Sequence, residues 1–253
     1  MFRYCTSVIF FLFLTVFCIF PAWAGSSGLS AFDGLSGTLK IAGGTAHIPV
    51  MKEAARRVMR HNPDISITIA GGGSGVGVQK AGEGLVDIGN AGRPLSKEEK
   101  TKYGLKSFAC AIDGVGLAVH PDNTVDALSR KQVQAIFAGK ITSWKEIGGA
   151  DRQINLYTRD EASGTRSVFW KKALDKGNVA EKTNVVQSNG AMKVAVSRDP
   201  DAIGYLSIGH MDDSVSRVAF DGVAPTRKNA KNGSYPVVRR LYMNTKGDPG
   251  ALA

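Results

Sequence analysis

Cysteine is nearly absent: three occur among 253 residues. Two of them, Cys5 and Cys18, fall in an N-terminal apolar stretch that reads as a leader, and only Cys110 remains beyond it. No internal disulfide is then available, so the core alone must hold the fold. Cys110 stands beside Phe108, Ala109 and Ile112, which leads us to expect a buried structural thiol. Histidine is also scarce. His47, His61, His120 and His210 are scattered without metal-ligand spacing, and no cofactor is called for. No lysine stands where a Walker loop needs one, no GxGxxG falls in register, and GxSxG is missing around Ser74 and Ser163. Nucleotide hydrolysis and serine-hydrolase chemistry lack their signatures, and an enzyme is not expected. Internal repeats, low-complexity tracts and Pro- or Ser-rich linkers are missing too.

The longest hydrophobic run free of charge lies in the first residues. Arg3 precedes an almost wholly apolar run over 8–20, Pro21 closes it, and Ala22-Trp23-Ala24 offers a small-x-small cleavage site. The run is shorter than the ~20 residues needed to span a bilayer. Residues 1–24 are therefore expected to be a signal peptide cleaved near Ala24, giving an exported or periplasmic protein. Acidic residues are outnumbered, and the net charge is +10. That balance suits an anionic partner. The basic residues, Arg239 and Arg240 among them, are dispersed without interleaved aromatics, so a solvated surface accounts for most of them and no nucleic acid is expected.

What is present in quantity is glycine, 30 residues, much of it in loops between a strand pattern and a helix pattern. Leu39 and Ile41 alternate before Gly43-Gly44-Thr45-Ala46, and Pro49 opens a helix with Val50, Ala54, Val58 and Met51, Ala55, Met59 at four-residue spacing. Ile65, Ile67 and Ile69 alternate before Gly71-Gly72-Gly73-Ser74-Gly75. A short strand over 85–88 leads to Asn90-Ala91-Gly92-Arg93, with Ser96 and Glu99 placed to box a helix start. Ser129 and Gln132 repeat that cap. The stretch RDEASGTR at 159–166 follows an alternating run and precedes Val168, Phe169, Ala173 and Leu174. Ser163 could simply cap this helix and Gly164 permit a turn. The recurrence of such loops favours an anion cradle of helix-start amides, hydroxyls and the Arg159 fork. Gln187-Ser188-Asn189-Gly190 opens one more helix, with Ala191, Val194 and Ala195 on one face. The apolar runs around Asp113 and around Gly204 are the expected crossings between lobes. Asp113 is either a paired structural carboxylate or a ligand contact. Strands alternating with helices imply an α/β architecture with ligand at the strands' carboxyl ends.

The segments GGTAHIP, GGGSGVGVQ, VDIGNAGRPLS, FAGKITSWKEIGG, RDEASGTR and SNGAMKVAVSRDPDAIGYLSIG together resemble, in order and spacing, the periplasmic phosphate-binding proteins of ABC transporters. The resemblance implies a two-lobed type II periplasmic-binding-protein fold, its lobes joined by crossing strands and closing over one phosphate. On this basis 25–112 with 209–253 is expected to form lobe I and 113–208 lobe II. It also implies phosphate contacts from Thr45, Ala46, Ser74, Arg159, Ser163, Gly164 and Thr165, with Glu161 pairing Arg159. The implied partners are inorganic phosphate and a membrane permease, and nothing demands more than a monomer. The same fold could carry another tetrahedral oxyanion, such as sulfate, arsenate or molybdate, or use its basic surface for adhesion. Many family members place an aspartate where this chain has Gly92, so Asp113 is the candidate replacement proton acceptor. The family continues past a segment like 244–249 into a further helix, whereas this sequence ends at Ala253, which implies truncation or a trimmed lobe.

Overall fold

Strand β1 (Gly37–Gly43) pairs in parallel with β2 (Ile65–Gly72), Leu39 against Ile67 and Ile41 against Ile69, in a computed structural model that describes residues 28–253. The signal-peptide reading of 1–24 lies outside the described residues. Between these strands runs α1 (Ile48–His61), started by Pro49 and burying Ala55 and Val58. Val50 is 71% exposed, so of the two expected faces the one through Met51 and Ala55 is turned inward. Directly after β2 comes α2 (Gly73–Gly82). This helix lies on the sheet at backbone contact: a Cβ on Gly77 would stand 2.5 Å from the Asn90 carbonyl oxygen and 2.8 Å from the Gly43 Cα. Glycine is required there to bring the helix start down to the strand ends.

Strand β3 (Ile88–Ala91) pairs with β1; it begins later than the alternation suggested, and Leu85 is exposed. The Ser96 and Glu99 box closes on α3 (Lys97–Tyr103). Then β4 (Leu105–Val119) runs for 15 residues. Cys110 lies on its exposed half, its thiol donating to the Leu241 carbonyl at 3.4 Å. The expectation of a buried cysteine fails because residues 106–112 of β4 are exposed on both faces of the strand.

The second lobe is built from β5 (Ala127–Leu128), α4 (Arg130–Phe137) with its Ser129 and Gln132 box, β6 (Asn155–Arg159), α5 (Gly164–Lys172), β7 (Asn184–Val186), α6 (Asn189–Arg198), β8 (Ala202–Ser207), β9 (Ser216–Phe220) and α7 (Arg227–Lys231). Helix α6 buries Asn189, Met192 and Val196 rather than Ala191 and Val194. The chain closes with β10 (Val238–Lys246). The strand order is β2-β1-β3-β10-β4-β8-β6-β7, with β9 against β4 and β5.

One strand serves both lobes: β4 pairs with β10 over 105–114 and with β8 and β9 over 115–119. The crossings are thus β4, as expected around Asp113, and β10. The segment around Gly204 is β8, fully buried inside the second lobe. The expected boundary at 209 shifts for the same reason. Met211, Val218, Phe220, Tyr235 and Val237 share a core with Leu117, Phe169 and Tyr205, so 209–237 packs with the second lobe. The first lobe keeps two smaller clusters, one around Leu39, Ile41 and Ile88, the other around Val78, Ala91 and Leu95.

Candidate functional site

The carboxyl ends of the parallel strands from both lobes converge on one small cavity, lined by Gly44, Thr45 and Ala46 after β1, Gly73 and Ser74 after β2, Gly92 after β3, Arg159 at the end of β6 and Ser163, Gly164 and Thr165 after it, with Arg239 from β10. The sequence-predicted residues Thr45, Ala46, Ser74, Arg159, Ser163, Gly164 and Thr165 therefore meet at one point. Two helix starts face each other there, α2 from one lobe and α5 from the other, bridged by the Gly75 amide donating to the Ala162 carbonyl at 3.0 Å. Their first amides have no intrahelical acceptors and carry the positive ends of both macrodipoles.

Hydroxyl bookkeeping decides what the wall offers. Thr45 Oγ1 accepts from the Asn189 amide at 3.2 Å and from Asn189 Nδ2 at 2.9 Å. Ser74 Oγ accepts from the Gly92 amide at 2.9 Å, and Ser163 Oγ accepts from the Arg166 amide at 3.2 Å as the helix cap. With those lone pairs taken, each hydroxyl has its proton left to donate.

Arg159 is 1% exposed. Its Nε donates to the Val186 carbonyl and its Nη2 to the Gln187 carbonyl, both at 2.9 Å. Nη1 is buried with no protein acceptor. Tyr205, stacked on Phe169 with centroids 4.1 Å apart, accepts from the Arg159 amide at 3.2 Å and bonds Thr158 Oγ1 at 2.9 Å. An aromatic core thus fixes the strand end that carries the guanidinium. Burial, opposed in part by Asp160 at 3.8 Å, lowers the pKa of Arg159 from its ordinary value.

Glu161 does not pair with Arg159. Its side chain is 93% exposed and faces Arg166 at 3.5 Å, because the residue lies on the solvent side of the turn into α5. Asp113 does not line the cavity either. Its Oδ1 accepts from Ser207 Oγ at 2.8 Å and its Oδ2 from Arg239 Nε at 2.9 Å, with Arg239 Nη2 2.8 Å away but off the hydrogen-bond axis. With both oxygens engaged, Asp113 is the paired structural carboxylate of the two alternatives, and its reading as proton acceptor falls.

Two residues of the site escaped sequence reasoning. Asn189 is fully buried and links the lobes, donating to Thr45 and accepting from the Ser207 amide at 2.9 Å. Arg239 is 6% exposed rather than solvated. Its signal was alternation: Arg239 and Leu241 share the inward face of β10, and Arg239 stands in register with Asp113 of β4. His47, behind the first loop, donates from Nδ1 to the Gly44 carbonyl at 3.0 Å, and burial, reinforced by the nearby Arg239 charge, lowers its pKa to about 4. His210 reaches the Thr45 carbonyl at 2.9 Å and is also shifted down by burial. Among the described residues no group of three or more His, Cys, Asp or Glu is placed to hold a metal ion.

The family model described as the PBP superfamily domain matches residues 31–253. A Bacillus subtilis relative, phosphate-binding protein PstS, is 36% identical over 97% of this chain and 85% of its own length. The chain belongs to the PstS family of the PBP superfamily. Among solved structures similar to this PstS-family chain is a putative phosphate ABC transporter substrate-binding protein with bound phosphate from Clostridium perfringens. It shows 38% identity and a TM-score of 0.79, covering 83% of this chain and 87% of that one. An ABC-type phosphate transport receptor from Vibrio cholerae shows 31% identity and a TM-score of 0.65, covering 84% and 88%.

Proposed function

We propose that this protein captures inorganic phosphate between its lobes and delivers it to an ABC transporter permease, acting outside the cytoplasm after loss of its leader. The observation that carries the reading is Arg159 Nη1, a buried cationic donor without a protein acceptor on a wall of hydroxyls and helix-start amides. A buried donor left unpaired costs about 1–3 kcal/mol, more when charged, and an oxyanion seated there satisfies it. Thr45, Ser74, Ser163 and Thr165 supply hydroxyls, while Ala46 and Gly164 supply amides. Together they replace the anion's hydration shell. The donors are mostly neutral and act over short distances, so the site holds phosphate firmly without needing a large opposite charge.

No group on this wall is arranged to attack phosphorus, so the expected behaviour is stoichiometric uptake by a monomer without turnover. Calorimetric titration of the ligand-stripped chain without residues 1–24 should show one phosphate per chain, recovered chemically unchanged. Moderate salt should alter that affinity little, because a buried site is screened far less than surface charge. Arg159→Lys should weaken binding by roughly tenfold or more, since an ammonium cannot keep both carbonyl contacts and still present a donor to the anion. Absence of phosphate binding, or affinity that collapses with salt as surface binding does, would sink the reading.

A further inference from the structure

We propose that Arg239 is a second guanidinium ligand of the bound anion, and that this site takes phosphate in its doubly ionised form. The inference rests on the cavity being the phosphate site. A Cβ on Gly92 would stand 2.7 Å from Arg239 Nη1, so the guanidinium occupies the space a side chain on the third loop would fill. That nitrogen is 3.5 Å from the Gly92 carbonyl oxygen, a weak contact at best, which leaves it able to donate to the anion. Asp113 positions it by accepting from Nε and by its charge beside Nη2, and is itself steadied by Ser207.

The charges around the cavity favour an anion that is all acceptor. Arg159 and Arg239 line it, and no carboxylate does. Asp113 lies behind Arg239, and Asp160 stands 3.8 Å from Arg159 Nη2 on its outer side. Glu161 pairs with Arg166 in solvent, and Lys193 pairs with Asp212 beyond His210. His47 is neutral near pH 7. Both lone pairs of the Thr45 hydroxyl are occupied, and Ser74 and Ser163 each have one taken. A proton on phosphate would find no charged acceptor here and would remove one acceptor oxygen from a wall of donors.

The experiment is calorimetric titration with inorganic phosphate at about pH 6 and about pH 8, each in two buffers of different protonation enthalpy. Affinity should rise by about tenfold toward the higher pH, and close to one proton should be released per phosphate bound at the lower pH. Tight binding that is flat with pH and releases no proton overturns this inference alone. Absence of binding at both values overturns the phosphate reading and this inference with it. The double variant Arg239→Gln with Asp113→Asn avoids stranding a buried carboxylate. In chains whose circular dichroism matches the parent, it should bind about ten- to hundredfold more weakly at the higher pH and show a smaller affinity ratio between the two pH values. An unchanged affinity and ratio would show that Arg239 does not touch the anion.

Discussion

His47 shows how a single buried side chain sets the molecule's tolerance of acid. Its folded pKa of about 4 lies below the ordinary 6.5, chiefly through burial. The unfolded chain therefore binds a proton that the folded chain refuses between these values, and stability rises with pH across that window. Acidification from about pH 6.5 to about pH 4 should remove up to about 3 kcal/mol through this residue. His47→Asn keeps a donor for the Gly44 carbonyl while removing the titration. Urea melts at several pH values should show a shallower acid decline in the variant, and parallel declines would refute the assignment. At this scale the sequence revealed much of the lining of the candidate site. Hydroxyls and glycines in loops betray themselves because few other residues suit a helix start. Arg239 and Asn189 did not, since a charged or amide side chain looks solvated until its partner strand or opposite lobe is known. Glu161 misled for the complementary reason: adjacency in sequence does not say on which side of a turn a carboxylate falls.

At the scale of elements, the approach of α2 to the strand ends is set by glycine. Gly77→Ala would drive a methyl to within 2.5 Å of the Asn90 carbonyl oxygen, and backbone on both sides leaves little room to relax. We expect a loss of about 1–3 kcal/mol, measured by chemical denaturation, together with weaker phosphate binding as the Ser74 hydroxyl moves with the helix. A variant as stable as the parent would show that the helix can shift without consequence. Strands and caps were legible because alternation and Ser-x-x-Glu or Ser-x-x-Gln spacing are local signals. Lobe assignment was not. Residues 209–237 carry β9, which joins the second lobe by pairing with β4 and β5 and by burying Val218 and Phe220 in its core, contacts no local pattern encodes.

For the whole molecule, closure runs through a chain of contacts from Thr45 to Asn189, Ser207, Asp113 and Arg239, ending beside Gly92. Asn189 is the link that crosses the cleft. Asn189→Ala should leave each lobe folded yet widen the ligand-free protein, seen as a larger radius of gyration in small-angle scattering, with saturating phosphate restoring the compact curve. An unchanged ligand-free curve would mean that other contacts hold the lobes together. The sheet order has a further consequence during synthesis. β10 lies between β3 and β4, so the first lobe's sheet has a gap until nearly the last described residues have been made. Pairing so distant along the chain is slow to form, and the nascent polypeptide meanwhile keeps β3 as an open edge. For a chain exported as proposed above, that delay would be an advantage: β10, which completes the sheet, follows every other described strand, so the strands before it would stay threadable until it is made.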